Sequence, residues 1–308
     1  MDNIQINIEE PAQQYPPDSS GFHNVSNELP NNNFLTEIGK DNYCHEVALR
    51  GSEGVGVPPK LIFIVPYRDR QQHFEFFNKH MKNTVLLNKT DYKIYYIEQC
   101  DTRDFNRGAM KNIGFLAMKE KYPNDYKNIT FVFNDIDTMP FTSDFLNYYT
   151  TQNVIKHFYG YSFTLGGIVS ILGSDFEKIM GFPNLWTWGY EDNSLQKRAQ
   201  ANNIIIDRSQ FYPVLDINIL QLKDGVERIM NRKEFDRYIT NNADGINDIR
   251  NLTYNIDENT GIIKVTWFLT GTDNNPSTNI VYDLRNGSIP FPMKPRAKRG
   301  SAKMGMFI

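Results

Sequence analysis

The 308-residue chain sets 33 Lys and Arg against 36 Asp and Glu, for a formal net charge of -3, so it has no global basic field to hold nucleic acid. Hydrophobic residues make up 40% of a length that can build one large α/β domain, or two small ones, with a sizeable core. Two cysteines, Cys44 and Cys100, exclude a disulfide scaffold, and no apolar run approaches the ~18 residues that span a bilayer. The amino end lacks the order of charged, apolar and small residues that marks a signal peptide. The expectation is a soluble, cytoplasmic protein, or a chain that has lost an anchor.

Residues 1–57 are polar, rich in Asn, Gln, Pro and Gly, and without periodicity, so they read as an arm that is largely disordered or loosely packed. Order begins with Leu61-Ile-Phe-Ile-Val65, a buried-strand pattern that Pro66-Tyr-Arg68-Asp-Arg70 turns into a helix with Phe74, Phe77 and Met81 on its apolar face. A second strand follows at Lys93–Ile97. A second helix opens at Asp104-Phe-Asn-Arg107, with Asp104 as the predicted cap and Met110, Ile113, Gly114 and Ala117 inward. The third strand, Thr130-Phe-Val-Phe-Asn-Asp135-Ile-Asp137, ends in two acids, at the carboxyl end where open α/β sheets keep their ligands. Strand, helix, strand, helix, strand predicts a parallel sheet.

Further on, Gly166-Gly167 sits between apolar runs, which suggests a tight turn or a close approach to a ligand. Short helices are predicted at Ser174–Met180, capped by Ser174, and from about Asn193 to Ala201, with a strand at Ile204–Ile206. Residues 208–250 read as polar loop with one helix around Arg232–Ile239, and Ile262–Phe268 reads as a late strand. The tail 294–308, with Lys294, Arg296, Lys298, Arg299 and Lys303, reads as a basic, solvated end.

Two acids on a buried strand end need a cation or hydrogen bonds. A divalent metal carrying a phosphorylated ligand answers that, since hard oxygen donors suit Mg²⁺ or Mn²⁺. A turn or helix cap answers it equally from this stretch alone. Arg68 and Arg70 could meet phosphate, and Phe105-Asn106-Arg107 lies at a helix start that favours anions. The segment Trp186-Thr-Trp188-Gly-Tyr-Glu191-Asp192 places indole faces beside two carboxylates. Such a pattern suits sugar stacking and proton abstraction, or a Trp core plug ahead of an acidic first turn.

Taken together, Phe63-Ile-Val-Pro-Tyr-Arg-Asp-Arg, Phe105-Asn-Arg, Phe131-Val-Phe-Asn-Asp-Ile-Asp, Gly166-Gly and Gly181-Phe-Pro-Asn…Trp-Thr-Trp-Gly-Tyr-Glu-Asp resemble the β-1,4-galactosyltransferase family in order and spacing over about residues 60–205. The resemblance implies an α/β GT-A domain over 58–293, with a mixed, mainly parallel sheet flanked by helices. It also implies an inverting transfer of a hexose, galactose or an N-acetylhexosamine, from a UDP-sugar to a hydroxyl of a glycan or glycoprotein. Pro66, Arg68, Arg70, Phe105 and Arg107 would hold the nucleotide and Asp135 its ribose region. Asp137 would ligate Mn²⁺, Thr164, Gly167 and Trp188 would line the sugar site, Glu191 would contact donor or acceptor, and Asp192 would be the general base.

The chain also departs from the family pattern. The Met-x-x-His element that usually completes the metal site falls on Ile219 and Leu222, which leaves Asp216 or Asn218, the diphosphate itself, or loss of metal dependence as accounts. Thr164 replaces a common Tyr, which predicts room for an N-acetylated donor or glucose. Thr187 and Tyr190 stand where glycines are usual, so the acceptor surface need not match. With no anchor seen, a cytosolic setting of viral or bacterial origin fits. Two rivals remain: an inactive sugar or nucleotide-sugar binding protein of the same fold, and a metal-dependent nucleotidyl- or phosphotransferase.

Overall fold

Strand β1, Leu61–Tyr67, is buried along its whole length, because its run of apolar residues is covered on both sides. The computed structural model describes residues 57–291 apart from 224, 242, 288 and 289, so the expectations for the amino-terminal arm and the basic tail fall outside it. After β1 come α1 (Gln71–His80), which continues into a π-helical turn at Met81–Val85, β2 (Tyr92–Gln99), α2 (Arg107–Lys121) and β3 (Thr130–Asn134). The short β4 (Thr138–Pro140), β5 (Val154–Gly160), β6 (Ile168–Leu172), α3 (Gly173–Lys178), α4 (Glu191–Ala201) and β7 (Ile205–Asp207) follow. The remainder is β8 (Tyr212–Pro213), β9 (Ile219–Gln221), β10 (Glu227–Asn231), α5 (Arg232–Ile239), β11 (Arg250–Asp257), β12 (Ile262–Leu269) and β13 (Asn279–Asp283).

The main sheet runs β11-β12-β2-β1-β3-β6-β5-β7, with β8 beside β5. Its centre, β12-β2-β1-β3, is parallel, while β6 pairs antiparallel with both β3 and β5. Period-two alternation divides the core. Ile62, Ile64, Tyr95, Ile97, Phe131 and Phe133 pack against α2 on one face, and Phe63, Val65, Tyr96 and Val132 meet Phe77 and Met81 on the other. Helices therefore cover both faces, and the carboxyl ends of β1, β2 and β3 open at one edge.

Local boundaries shift for physical reasons. Asn106, not Asp104, caps α2, because its side chain accepts the Ala109 amide at 2.9 Å. No side chain caps α3, which begins at Gly173 without help from Ser174. Helix α4 begins at Glu191, two residues early, after Tyr190 takes a left-handed conformation with φ of 72°. The polar stretch 208–250 holds α5 as expected, but also β8, β9 and β10.

Candidate active site

Two helix starts and one strand end meet at the open edge of the sheet. Asn106 is fully buried. Its amide donates to Gln99 Oε1 at 2.9 Å while its side chain caps α2, so the first helical residue, Arg107, is held rigidly at the end of β2. All three guanidinium nitrogens of Arg107 are occupied: Nε donates to Glu191 at 2.6 Å, Nη1 to Asp135 at 2.9 Å and Nη2 to Asp192 at 2.6 Å. One helical turn on, the buried Lys111 places Nζ 3.4 Å from Asp135 Oδ1 and 3.4 Å from Asp192 Oδ1, over the ring of Phe182.

Burial pushes the Asp135 carboxyl up, but Arg107 and Lys111 outweigh it and hold it below the usual carboxylate range. Burial likewise disfavours the Arg107 charge, and the three carboxylates more than restore it.

Glu191 and Asp192 occupy the first turn of α4, where the helix dipole favours anions. The chain reaches them through Thr187, Gly189 and Tyr190, all at positive φ (97°, 108° and 72°), a conformation that is strained for the β-branched Thr187. Within this turn Trp186 is buried against Phe268, whereas Trp188 stays 40% exposed.

The glycine pair lies against the acids. A Cβ on Gly166 would stand 2.4 Å from Asp192 Oδ2, and Gly167, at φ 69°, accepts the Asp135 amide at its carbonyl. Glu191 Oε2 is buried and meets no hydrogen-bond partner among the described residues.

The structure thus brings together Asp135, Glu191, Asp192, Arg107 and the Gly166-Gly167 turn. Other expected residues have other partners. Arg68 turns to the carbonyls of Arg103 (2.6 Å) and Asp101 (3.3 Å), Pro66 is buried inside β1, and Phe105 packs against the core. Thr164 is buried, with Oγ1 donating to Tyr161 O at 3.3 Å and its carbonyl accepting from Arg208. Arg70 Nη1 lies 3.8 Å from Asp137.

Two further residues build the site without having been expected. Lys111 lies four residues after Arg107, a spacing that puts both cations on one helix face. His157 holds the Gly166 carbonyl at 3.1 Å from β5, and no local pattern announces it.

A mixed, mainly parallel sheet covered on both faces, with acids and an arginine gathered at its carboxyl edge, is the α/β architecture of GT-A glycosyltransferases. A model of the N-terminal region of glycosyl transferase group 7 matches residues 14–152, and a model described as the N-terminal domain of galactosyltransferase matches residues 148–220. The chain belongs to the β-1,4-galactosyltransferase family of glycosyltransferases.

Mouse (Mus musculus) β-1,4-galactosyltransferase 4 is 32% identical over 161 residues, covering 48% of this chain and 45% of its own. Human (Homo sapiens) β-1,4-galactosyltransferase 5 is 30% identical over 198 residues, covering 57% and 49%. The chain therefore spans about half the length of these curated relatives. Among solved structures, a mutant of Drosophila β-1,4-galactosyltransferase 7 in complex with manganese, UDP-Gal and xylobiose superposes with a TM-score of 0.51 at 20% identity, over 70% of this chain and 95% of that one. No helix among the described residues is long and apolar enough to cross a membrane.

Among the described residues, the side chains at the family's usual metal-ligand positions beside Asp137 do not suit Mn²⁺. The backbone facing it belongs to Leu222, whose amide donates to Asp137 O at 2.8 Å, and Ile219 is buried in β9. Neither side chain can ligate. Asp216 Oδ1 already accepts from both nitrogens of Asn218, at 2.9 Å each. Among the described residues no three His, Cys, Asp or Glu stand close enough together to hold an ion. What the described residues offer there, one carboxylate beside an arginine, is a poor donor set for a hard divalent cation.

Proposed function

We propose that the chain is an inverting, UDP-sugar-dependent hexosyltransferase that moves galactose or an N-acetylhexosamine to a hydroxyl of a glycan or glycoprotein. The observation that carries this reading is the convergence of Asp135, Glu191 and Asp192 on Arg107 at the carboxyl edge of the sheet. The UDP-Gal and xylobiose bound by the Drosophila relative support a sugar-nucleotide donor and a glycan acceptor.

In this reading Asp192 is the general base. The acceptor oxygen attacks the anomeric carbon on the face opposite UDP, and its proton passes to a carboxylate oxygen of Asp192. The bond from that carbon to the diphosphate oxygen breaks, its electron pair leaving with UDP. Arg107 and Lys111 hold Asp192 in place, and the acceptor hydroxyl takes over one of these contacts as it approaches. Glu191 keeps one oxygen on Arg107 and offers the unpartnered Oε2 to a sugar hydroxyl, which removes the cost of a buried bare acceptor. The exposed face of Trp188 stacks on a sugar ring. Thr164, smaller than tyrosine, leaves space for an N-acetyl group.

Turnover of UDP-Gal, UDP-GalNAc, UDP-GlcNAc and UDP-Glc by the wild type and by Asp192→Asn tests this. The wild type should use UDP-Gal and at least one N-acetylated donor, and Asp192→Asn should lose about 100-fold or more in turnover, the scale of a general base. A wild type silent with every donor would remove the reading. Strict preference for UDP-Gal would remove only the larger pocket.

A further inference from the structure

The turn that carries Gly166-Gly167 touches the helix of the proposed base on one side only. A Cβ on Gly166 would stand 2.4 Å from Asp192 Oδ2, and the Leu165 amide donates to the Asp192 carbonyl at 3.1 Å. Behind these contacts lies Arg208, the residue after β7. Its Nη2 donates to the Thr164 carbonyl at 3.2 Å and to Gln196 Oε1 at 2.7 Å, and its Nε donates to His157 Nδ1 at 3.1 Å. Gln196 lies four residues after Asp192, so the two share a face of α4. His157 in turn holds the Gly166 carbonyl at 3.1 Å from β5.

Resting on the transferase reading above, we propose that Arg208 is a positioning residue for the transfer step, stapling the 164–167 turn to α4 and so setting the gap in which the donor sugar meets Asp192. One planar fork reaches acceptors on the turn, on α4 and on β5 in fixed directions, a task that the point charge of a lysine does not reproduce. Thr164 is buried, and its carbonyl needs the donor that Arg208 supplies. Losing that bond frees the turn to move against Asp192. A shift of about 1 Å is enough to cost on the order of 100-fold in rate, because proximity and alignment supply much of the acceleration.

Steady-state turnover with the donor and acceptor that the wild type uses, set beside calorimetric titration with UDP, tests the proposal. Arg208→Gln should lower kcat by about 10- to 100-fold and leave UDP affinity within about threefold, because in this reading the nucleotide sits at the strand ends and not on the turn. Arg208→Lys should recover only part of the loss. Gln196→Ala cuts the staple on the helix side while keeping a strong helix former, and should lower kcat by about 3- to 10-fold. The double variant should be no slower than Arg208→Gln alone, since both changes break one connection. Melting curves check that each variant folds, and Gln196→Ala carries the test if Arg208→Gln does not.

A kcat within about twofold of wild type in the folded variants, with only the melting temperature lowered, overturns the proposal and makes Arg208 a residue of the fold alone. A UDP affinity that falls in step with kcat overturns it too, as do losses that add in the double variant. In each of these cases the transferase reading stands. A wild type without turnover overturns the two together.

Discussion

Lys111 shows how much one side chain sets in this site. Three carboxylates face two cations, and Lys111 is the one that touches Asp135 and Asp192 on the oxygens Arg107 does not reach. Replacing it by methionine keeps the stem against Phe182 and removes the charge. Lys111→Met should lower stability by about 1–3 kcal/mol, because Asp135 Oδ1 is then buried without a cation. It should also move the acid limb of the pH-rate profile upward, since a carboxylate cluster that loses a neighbouring cation takes up its first proton at higher pH. A profile that keeps its acid limb while stability falls would make Lys111 a packing residue only. The other members of the cluster were legible in the sequence, because each sits at a strand end or helix start that an apolar run or a segment with Gly and Trp marks. Lys111 was not. A lysine between Met110 and Asn112 in a helix reads as solvent face, and only the burial of α2 on nearly all sides reveals it.

Among the elements, α2 and the Gly181-Phe-Pro-Asn184 segment act as one body. The backbones touch, since a Cβ on Gly108 would lie 2.1 Å from the Pro183 carbonyl. Asn112 fastens them with three bonds: Nδ2 donates to Phe182 O at 2.8 Å and to Asn184 Oδ1 at 2.9 Å, and Oδ1 accepts from Phe182 N at 2.9 Å. Asn112→Ala leaves those buried groups unpaired and should reduce unfolding free energy by about 2–4 kcal/mol, read as a lower urea midpoint. Sugar-nucleotide turnover should fall as well, because the strap sets the distance between Arg107 on α2 and the acids of α4. A midpoint within a few tenths of a kcal/mol of wild type would show that the strap is redundant. The alternation of apolar strands with amphipathic helices made the parallel half of the sheet readable. The later strands were harder. In β11 the residues Leu252, Tyr254 and Ile256 do alternate with polar ones, but β8, β9 and β13 are so short or so exposed that their pairing comes from tertiary contact rather than local preference.

Across the whole molecule, acid should loosen the fold through His157 before it reaches the carboxylates. The ring is buried on β5, with Nδ1 accepting from Arg208 Nε at 3.1 Å and Nε2 donating to the carbonyls of Tyr159 (3.0 Å) and Gly166 (3.1 Å). Burial, then the neighbouring Arg208 charge, pull it down to about 4. In the unfolded chain the same group titrates near ~6.5. Between these values the unfolded state holds a proton that the folded state refuses, so the stabilisation is complete above ~6.5 and is lost as pH falls towards 4. The loss is on the order of 3 kcal/mol. Glu234, raised by burial, acts in the opposite sense, favouring the fold at low pH and less as pH rises above the ordinary glutamate value, so it offsets part of this slope. Carboxyls held low by cations, such as Asp135 and Glu177, add to the loss only at lower pH. Urea midpoints across this range should therefore fall with pH in the wild type and fall less steeply in His157→Gln, which cannot take the proton. Because the Gly166 carbonyl held by His157 belongs to the turn pressed against Asp192, turnover should decline over the same window in the wild type. Coincident stability slopes for the two proteins would assign the acid sensitivity to the carboxylate cluster instead.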